Sequence, residues 1–274
     1  PDELKNDILQ TLKDNLKNYS GKSDSEANSV IQRDELTWRV LDVKDGQVRL
    51  ISTKPTTSKI ELSGYNGYNN AVKLLDDSCS TLYTNSDLSS KVQNLKIEDI
   101  TKYMKTKPAD DTTVYKPTNI NYSKILEQEE NQIVDKTNNN LTKLGFSRQY
   151  DWVIGKDITS NSVLKNTYWS KTIDNINSFE NNIYYKLFIN DEKVFETYWL
   201  SSRCINVNTN NYVNYRVRGV YSGIIDATGL HDSNNGEATR AYAFRPVITL
   251  NSNVQLDKIN SGNGSTAEQG YAIK

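Results

Sequence analysis

Two kinds of apolar pattern follow one another along the sequence, and their order restricts the fold more than any other feature. In the first half, apolar residues recur every three or four positions, as on one face of an α-helix. From about Tyr150 the chain changes to short runs of aromatic and β-branched residues separated by turn formers. Helical patterns followed by strand patterns predict an α+β fold with an antiparallel sheet, because α/β folds alternate the two.

Local signals place several elements within this plan. Asp45-Gly46 lies between two β-rich arms and predicts a hairpin. The stretches SGYNGYNNAVKLLDDSCSTLY and LKIEDITKYMK predict a long and a short helix. Six later stretches predict strands: YDWVIG, TYWSKT, NIYYKLFIN, TYWLSSRCI, NYRVRGVYSGII and YAFRPVITL.

The first 22 residues carry the pattern of an amphipathic helix. Leu4, Ile8, Leu12 and Leu16 recur every fourth residue and would form one apolar stripe. We therefore predict a helix over residues 1–22 and a globular domain over 23–274, with a polar helical insert near 107–150.

Charge and motifs exclude several classes of protein. The net charge is −1, from 33 basic and 34 acidic residues, so no overall field attracts nucleic acid. The sequence contains no Gly-rich dinucleotide motif, Walker loop, nucleophile elbow or His-Glu-x-x-His helix. It also contains no apolar stretch of about 20 residues. Because the first residue is Pro1, we expect a truncated or processed form, in which any signal or membrane anchor would be missing from this sequence.

The two cysteines, Cys79 and Cys204, leave three interpretations open. Neither lies in a Cys-x-x-Cys motif, and with one histidine in the chain a zinc site would lack ligands. The cysteines can form a disulfide in an exported protein, remain as two buried thiols, or include a catalytic nucleophile. The disulfide is the favoured prediction, joining a helix of the first half to a strand of the second.

One loop and several arginines are candidate ligand-binding features. Asp226, His231, Asp232 and Glu237 lie among turn formers, and such an oxygen-rich loop could hold calcium; a solvated hairpin loop is the favoured alternative, and no other cofactor is expected. Five arginines of the last third could bind a carboxylate or phosphate in a cleft, although Arg203 and Arg245 lie in apolar strands and are expected to be structural. The five are Arg203, Arg216, Arg218, Arg240 and Arg245.

The stretches between Trp38 and Leu256 together resemble a family of extracellular domains from bacteria, mainly Firmicutes. Their sheet is similar to the C-type-lectin-like fold of formylglycine-generating enzymes and of variable phage receptor-binding proteins. The calcium-binding and sugar-binding triplets of true C-type lectins are absent, as are closely spaced redox cysteines. The stretches that carry the resemblance are LTWRVLDVKDGQVRLIS, LLDDSCSTLY, LKIEDI, YWLSSRCI and AFRPVITLNSNVQL.

This resemblance implies that the strands YWLSSRCI and AFRPVITL are structural framework and that the protein is extracellular or lies at the cell surface. Cys204 would be half of the disulfide, and Arg245 would begin the last strand. We expect Trp38, Trp199, Leu200, Phe244, Val247 and Ile248 to be buried in one core.

Members of the family often follow a type IV pilin-like helix. The resemblance therefore implies a non-enzymatic, extracellular pilin-like or adhesive protein. Its partners would be other pilin-like subunits and a host or surface ligand, and the full-length form would be membrane-anchored before assembly. Leu4 and Ile8 would then be more exposed than Leu12 and Leu16. The alternative is a secreted lectin-like or formylglycine-generating-enzyme-like domain.

Overall fold

The structure is a computed structural model, and it describes residues 15–21, 33–106, 108, 114–115, 164–173, 178–189, 197–208, 212–266 and 268–273. In this part of the chain 44% of residues lie in strands and 18% in helices. The prediction of an α+β fold of the C-type-lectin-like kind with an N-terminal helix is therefore wrong, and the described part is β-rich. The polar insert near 107–150 lies outside the described residues, except for Pro108 and the pair Val114–Tyr115.

A five-stranded sheet contains the predicted Asp45-Gly46 hairpin. Both turn residues have positive φ, 51° and 78°, as a two-residue hairpin with right-handed strand twist requires. All the pairings in this sheet are antiparallel. In spatial order its strands are β1 (Asn15–Leu16), β2 (Trp38–Lys44), β3 (Gln47–Ser52), β14 (Pro246–Leu250) and β5 (Ser89–Asn94).

The predicted N-terminal helix is contradicted where the structure describes it. Leu16 lies in β1, pairs with Trp38 and is only 6% exposed. The chain beside it also exchanges backbone hydrogen bonds with Tyr271 at 2.7 and 2.8 Å. Strand partners on both sides satisfy the backbone N–H and C=O groups of residues 15–17. The extended chain is therefore stable here, although the spacing of the apolar residues is that of a helix. The rest of the proposed filament face, Leu4, Ile8 and Leu12, lies outside the described residues.

The larger sheet is built mainly from the last third of the chain. Its strands are β4 (Lys59–Ser63), β8 (Lys171–Thr172), β9 (Tyr198–Val207), β10 (Val213–Tyr221), β11 (Ile224–Asp232), β12 (Gly236–Glu237) and β13 (Thr239–Ala243). Their spatial order is β12-β11-β10-β9-β13-β4, and β8 pairs with the first residues of β11. Among the pairings described in this sheet, only the β13–β9 contact is parallel. Two small pairs are β6 (Val114–Tyr115) with β7 (Leu164–Lys165), and β15 (Leu256–Asp257) with β16 (Ala272–Ile273).

Three helices are described, and one of them was predicted as a strand. The long helix α1 (Gly64–Tyr83) and the short helix α2 (Ile97–Thr101) lie where the apolar periodicity placed them. Residues NIYYKLFI form α3 (Asn182–Ile189) instead of a strand. In the described part of the chain no helix has the length and hydropathy needed to cross a membrane.

The six residues expected in one core are all buried, but in two clusters. Trp38, Trp199, Phe244 and Ile248 pack with α1 in the first cluster. Leu200 and Val247 belong to the second cluster, which contains residues of α2 and α3. Successive side chains of a strand point to opposite faces, so the neighbours Trp199 and Leu200 enter different clusters.

A buried ionic network connects the hairpin to α2. The Arg49 guanidinium donates two hydrogen bonds to Asp42, both 2.6 Å long, and a third to Asp99 at 2.7 Å. Asp42 also accepts hydrogen bonds from Lys102 and from the Tyr103 hydroxyl. Breaking a buried ion pair leaves an uncompensated charge, so this network fixes the position of α2 against the sheet.

Replacing Asp42 by Asn should make the free energy of unfolding less dependent on pH in the acid range. Burial alone raises the pKa of Asp42, but hydrogen bonds from Arg49 and Lys102 outweigh it and hold the pKa below its usual value. Such a carboxylate stabilises the fold above its unfolded-state pKa, and the stabilisation is lost as pH falls through the folded-state pKa. Urea unfolding of wild type and Asp42→Asn between about pH 6 and pH 2 measures this difference.

Asp76→Asn provides a control of opposite sign. Burial raises the pKa of Asp76 despite the nearby Lys96 ammonium. The protonated form is therefore favoured by folding, and its contribution is lost as pH rises through the folded-state pKa. Identical changes of pH dependence in the two variants would contradict the role assigned to the Arg49 network.

Candidate functional site: an arginine-lined cleft beside strand β9

Residues 164–173, here named the crossing segment, run over the larger sheet. The backbone N–H groups of Thr167 and Tyr168 donate to the Ile205 carbonyl at 2.9 and 3.1 Å, at the edge of β9 that does not face β10. The Thr167 hydroxyl accepts from the Ile205 N–H at 2.8 Å. At its other end the segment forms β8, which pairs with Ile224 and Ile225 of β11. The segment therefore passes over β10 between two fixed ends.

Two arginines of β10 hold the middle of the crossing segment. The Arg216 guanidinium lies 4.4 Å from the ring centroid of Tyr168, and that of Arg218 lies 4.2 Å from the ring centroid of Trp169. Arg218 also donates to the Thr167 and Trp169 carbonyls at 2.5 and 3.2 Å. Cation–π contacts and hydrogen bonds from the same side chains thus fix both aromatic residues on the sheet.

An open cleft of about 430 Å³ lies between the crossing segment and α2. This volume is within the range of small-molecule sites. One wall is α2, which is fixed to β9 by a 3.0 Å hydrogen bond from the Ile97 N–H to the Ser202 hydroxyl. The lining residues are Ile97, Glu98, Thr101, Pro108, Thr167, Trp169, Arg203 and Arg218.

Arg218 is the main cation of the cleft. Arg218 is only 4% exposed, and within the described residues its guanidinium hydrogen bonds go to carbonyl oxygens and not to a carboxylate. Arg203 stacks on Tyr68 of α1 with its guanidinium 4.7 Å from the ring centroid. Glu98 is the acidic residue of the lining, and it is exposed. The buried Arg218 guanidinium therefore supplies the positive charge of the cleft, while the Glu98 carboxylate is exposed to solvent.

The four residues of the proposed calcium loop do not come together. Asp226 contacts Arg216 at 3.9 Å, and His231 lies five positions further along β11, roughly 17 Å away. Asp232 accepts hydrogen bonds from the backbone N–H groups of Asn234 and Asn235 and so closes its own turn. Within the described residues no cluster of three or more His, Cys, Asp or Glu side chains could hold a metal ion.

Glu237 and His231 lie opposite each other in the larger sheet and have structural contacts there. They face each other across the β11–β12 pair, and burial lowers the pKa of His231. A methyl group added at Gly64 would approach the Glu237 carboxylate to 2.6 Å, so this carboxylate lies over the first residue of α1. A negative charge at a helix N-terminus is favourable because it compensates the helix dipole.

The predicted disulfide is wrong: Cys79 and Cys204 are separate buried thiols. Arg203 points from β9 towards Tyr68 of α1, so its neighbour Cys204 points to the opposite face of the sheet. Cys79 lies on α1, with its sulfur 3.9 Å from the Asn94 side-chain oxygen. Burial raises the pKa of the Cys79 thiol well above its usual value, which opposes nucleophilic reactivity.

Arg245 is structural, as expected, while Arg203 contributes to the cleft as well as to packing on α1. Arg245 is 2% exposed, and its guanidinium donates hydrogen bonds to the backbone carbonyls of Ser52 and Thr53. Arg240 is exposed, and within the described part of the chain its side chain donates to the carbonyl of its neighbour Thr239. Of the five arginines singled out in the sequence, Arg218 turns its guanidinium towards the crossing segment at the cleft, whereas that of Arg203 stacks on α1 on the other face of the sheet.

Several cleft residues could not be recognised from the sequence. Thr167 and Trp169 lie in a stretch that reads as an ordinary strand, and Glu98 and Thr101 lie in a short amphipathic helix. The sequence feature that indicates an anion-binding cleft is the concentration of arginines in the last third of the chain. No protein-family model, curated protein or solved structure matches the chain.

Proposed function

We propose that the protein is a non-enzymatic binding protein that holds a carboxylate or phosphate group of its ligand in this cleft. The observation that carries the proposal is Arg218, a buried guanidinium on the cleft wall whose described partners are carbonyl oxygens. Arg203 also lines the cleft, but its guanidinium stacks on Tyr68 of α1, so Arg218 is the guanidinium available to the ligand.

The buried charge of Arg218 favours an anion in the cleft. A buried cation is costly unless a neighbouring group compensates it. Carbonyl dipoles and the Trp169 ring compensate part of the charge, and an anion in the cleft would compensate the remainder. The planar guanidinium can donate parallel hydrogen bonds to both oxygens of a carboxylate or phosphate, which gives such pairs strength and specificity.

The lining chemistry suits binding more than catalysis. General acid–base catalysis needs a group poised to exchange protons near neutral pH, most often a histidine, or a nucleophile with an adjacent base. Among the described lining residues, arginine, threonine and an exposed Glu98 provide hydrogen-bonding groups rather than such a pair.

The expectation of a filament subunit is not part of this proposal. It depended on an apolar helical stripe that continues through Leu16, and Leu16 is a buried strand residue. The binding role does not depend on that helix, because the cleft is formed by α2, β9, β10 and the crossing segment.

Glu98→Gln should bind simple anions about threefold more tightly than the wild type, because it removes a negative charge from the cleft lining. Glu98 is exposed, so the variant is expected to fold normally. Isothermal titration with sodium acetate and with inorganic phosphate at low ionic strength, where charge effects are least screened, measures the change. The two titrations also distinguish a carboxylate site from a phosphate site.

Arg218→Gln should abolish this binding, and Arg240→Gln should leave it unchanged. Arg240 is the matched control, because it is an arginine of the same sheet that lies outside the cleft. Equal anion affinity in wild type, Arg218→Gln and Glu98→Gln would overturn the proposal. Loss of binding in Arg218→Gln could also result from release of the crossing segment, which Arg218 holds. Glu98→Gln tests the charge of the cleft without removing a contact to that segment.

A further inference from the structure

The hydrogen-bonding groups of the cleft lie on two opposed walls. Glu98 and Thr101 are three residues apart in α2, which places them on the same helix face. Thr167 and Trp169 are two residues apart in the crossing segment, and both line the cleft. Since Arg218 lies beneath the crossing segment, a ligand in the cleft would meet cationic donors at Arg218 and acceptor or hydroxyl groups at several other points.

Resting on the binding function proposed above, we infer that the ligand is an acidic sugar, a saccharide that carries a carboxylate group. The carboxylate binds at Arg218, and sugar hydroxyls donate to the Glu98 carboxylate and bond with the hydroxyls of Thr101 and Thr167. The ring carbons pack against the apolar surface of Trp169.

Glu98 is the observation that separates this ligand from other anions. A simple anion gains nothing from Glu98, because two negative charges repel each other across the cleft. A hydroxylated acid has O–H donors, and a hydrogen bond to a charged acceptor is stronger than one between neutral groups. The same residue therefore opposes a bare anion and favours an acid that also carries hydroxyl groups.

The threonines favour a sugar over an amino acid. A zwitterionic amino acid could pair with Glu98 and Arg218, but it would leave the Thr101 and Thr167 hydroxyls without a ligand partner. A polyhydroxylated ring supplies donors and acceptors around its whole edge. Small-molecule sites are typically built from an apolar wall with a few placed polar groups, and here Trp169, Ile97 and the two threonines provide that combination.

The test is a titration of the full chain with galacturonic acid, galactose, glycine and acetate. We expect galacturonic acid to bind at least about tenfold more tightly than acetate, because added hydrogen bonds to charged groups have this effect. Glu98→Gln should weaken galacturonic acid binding by about tenfold while it tightens acetate binding. Thr101→Val, which keeps the side-chain shape, should weaken galacturonic acid about threefold and leave acetate unchanged.

The outcomes separate this inference from the binding function itself. If acetate and galacturonic acid bind equally well, or glycine binds best, the acidic-sugar ligand is wrong and the anion site stands. If galactose binds as tightly as galacturonic acid, carboxylate recognition is wrong and both proposals fall. If none of the four compounds binds, the cleft is not the site.

Discussion

Arg245→Met should lower the free energy of unfolding by about 3–5 kcal/mol, one of the two largest effects expected for single substitutions in this protein. The Arg245 guanidinium donates to the Ser52 carbonyl at 2.9 and 3.1 Å and to the Thr53 carbonyl at 3.1 Å. Further contacts at 3.4 Å reach the Phe188 carbonyl and the Tyr198 hydroxyl. Methionine fills much of the volume but leaves these buried acceptors without their donor, which costs about 1–3 kcal/mol per group.

Urea unfolding of wild type, Arg245→Met and Arg245→Lys measures this effect. Lysine keeps the charge but cannot reproduce the planar fork, so Arg245→Lys should also be destabilised. Arg240→Met is the control on a neighbouring strand, and because Arg240 is exposed its change should stay within about 0.5 kcal/mol. A loss below about 1 kcal/mol for Arg245→Met would show that water or a rearranged chain replaces these hydrogen bonds.

The parts of the fold that the sequence predicts correctly are those controlled by local chemistry. Asp45-Gly46 needs two residues with positive φ, and the adjacent strands follow from that turn. Helix α1 combines a glycine start with a regular apolar face that includes Leu75 and Cys79, both fully buried. In these segments the periodicity, the turn residues and the final packing agree.

The errors occur where tertiary contacts decide between two local structures. The NIYYKLFI stretch has aromatic and β-branched residues typical of a strand, but it forms α3, with Leu187 and Phe188 buried beside α2. Leu16 has helical spacing to the residues before it, but β2 and Tyr271 provide strand partners on both sides. Neither partner is near Leu16 in sequence, so no local pattern could reveal them.

The candidate site was only partly foreseeable for the same reason. The arginines of the last third were recognised as possible anion ligands, but strand alternation and pairing decide which of them share a cleft. The Arg218 guanidinium faces the cleft, whereas that of Arg203 stacks on α1. Arg216 holds Tyr168, and Arg245 is enclosed in the core. The predicted disulfide failed because Cys204 faces the side of β9 opposite to Arg203 and α1, which depends on the orientation of one strand.

Trp199→Ala should lower the free energy of unfolding by about 3–5 kcal/mol, through lost burial and the cavity left behind. Trp199 is 0% exposed, and its ring centroid lies 4.4 Å from that of Tyr242. Its indole N–H donates to the Ile60 carbonyl at 2.8 Å. The side chain therefore connects β9 with both β13 and β4. Chemical unfolding followed by circular dichroism measures the loss.

Trp199→Phe separates the two contributions of this residue. Phenylalanine keeps an aromatic ring near Tyr242 but leaves the Ile60 carbonyl without its donor, so a loss of roughly 2 kcal/mol is expected. Ile259→Ala serves as the control, because Ile259 is 88% exposed and its removal should change stability by less than about 0.5 kcal/mol. A loss under about 1 kcal/mol for Trp199→Ala would mean that the first cluster closes around the missing ring. Equal losses for Ala and Phe would instead assign most of the energy to the hydrogen bond, since the cavity would then contribute little.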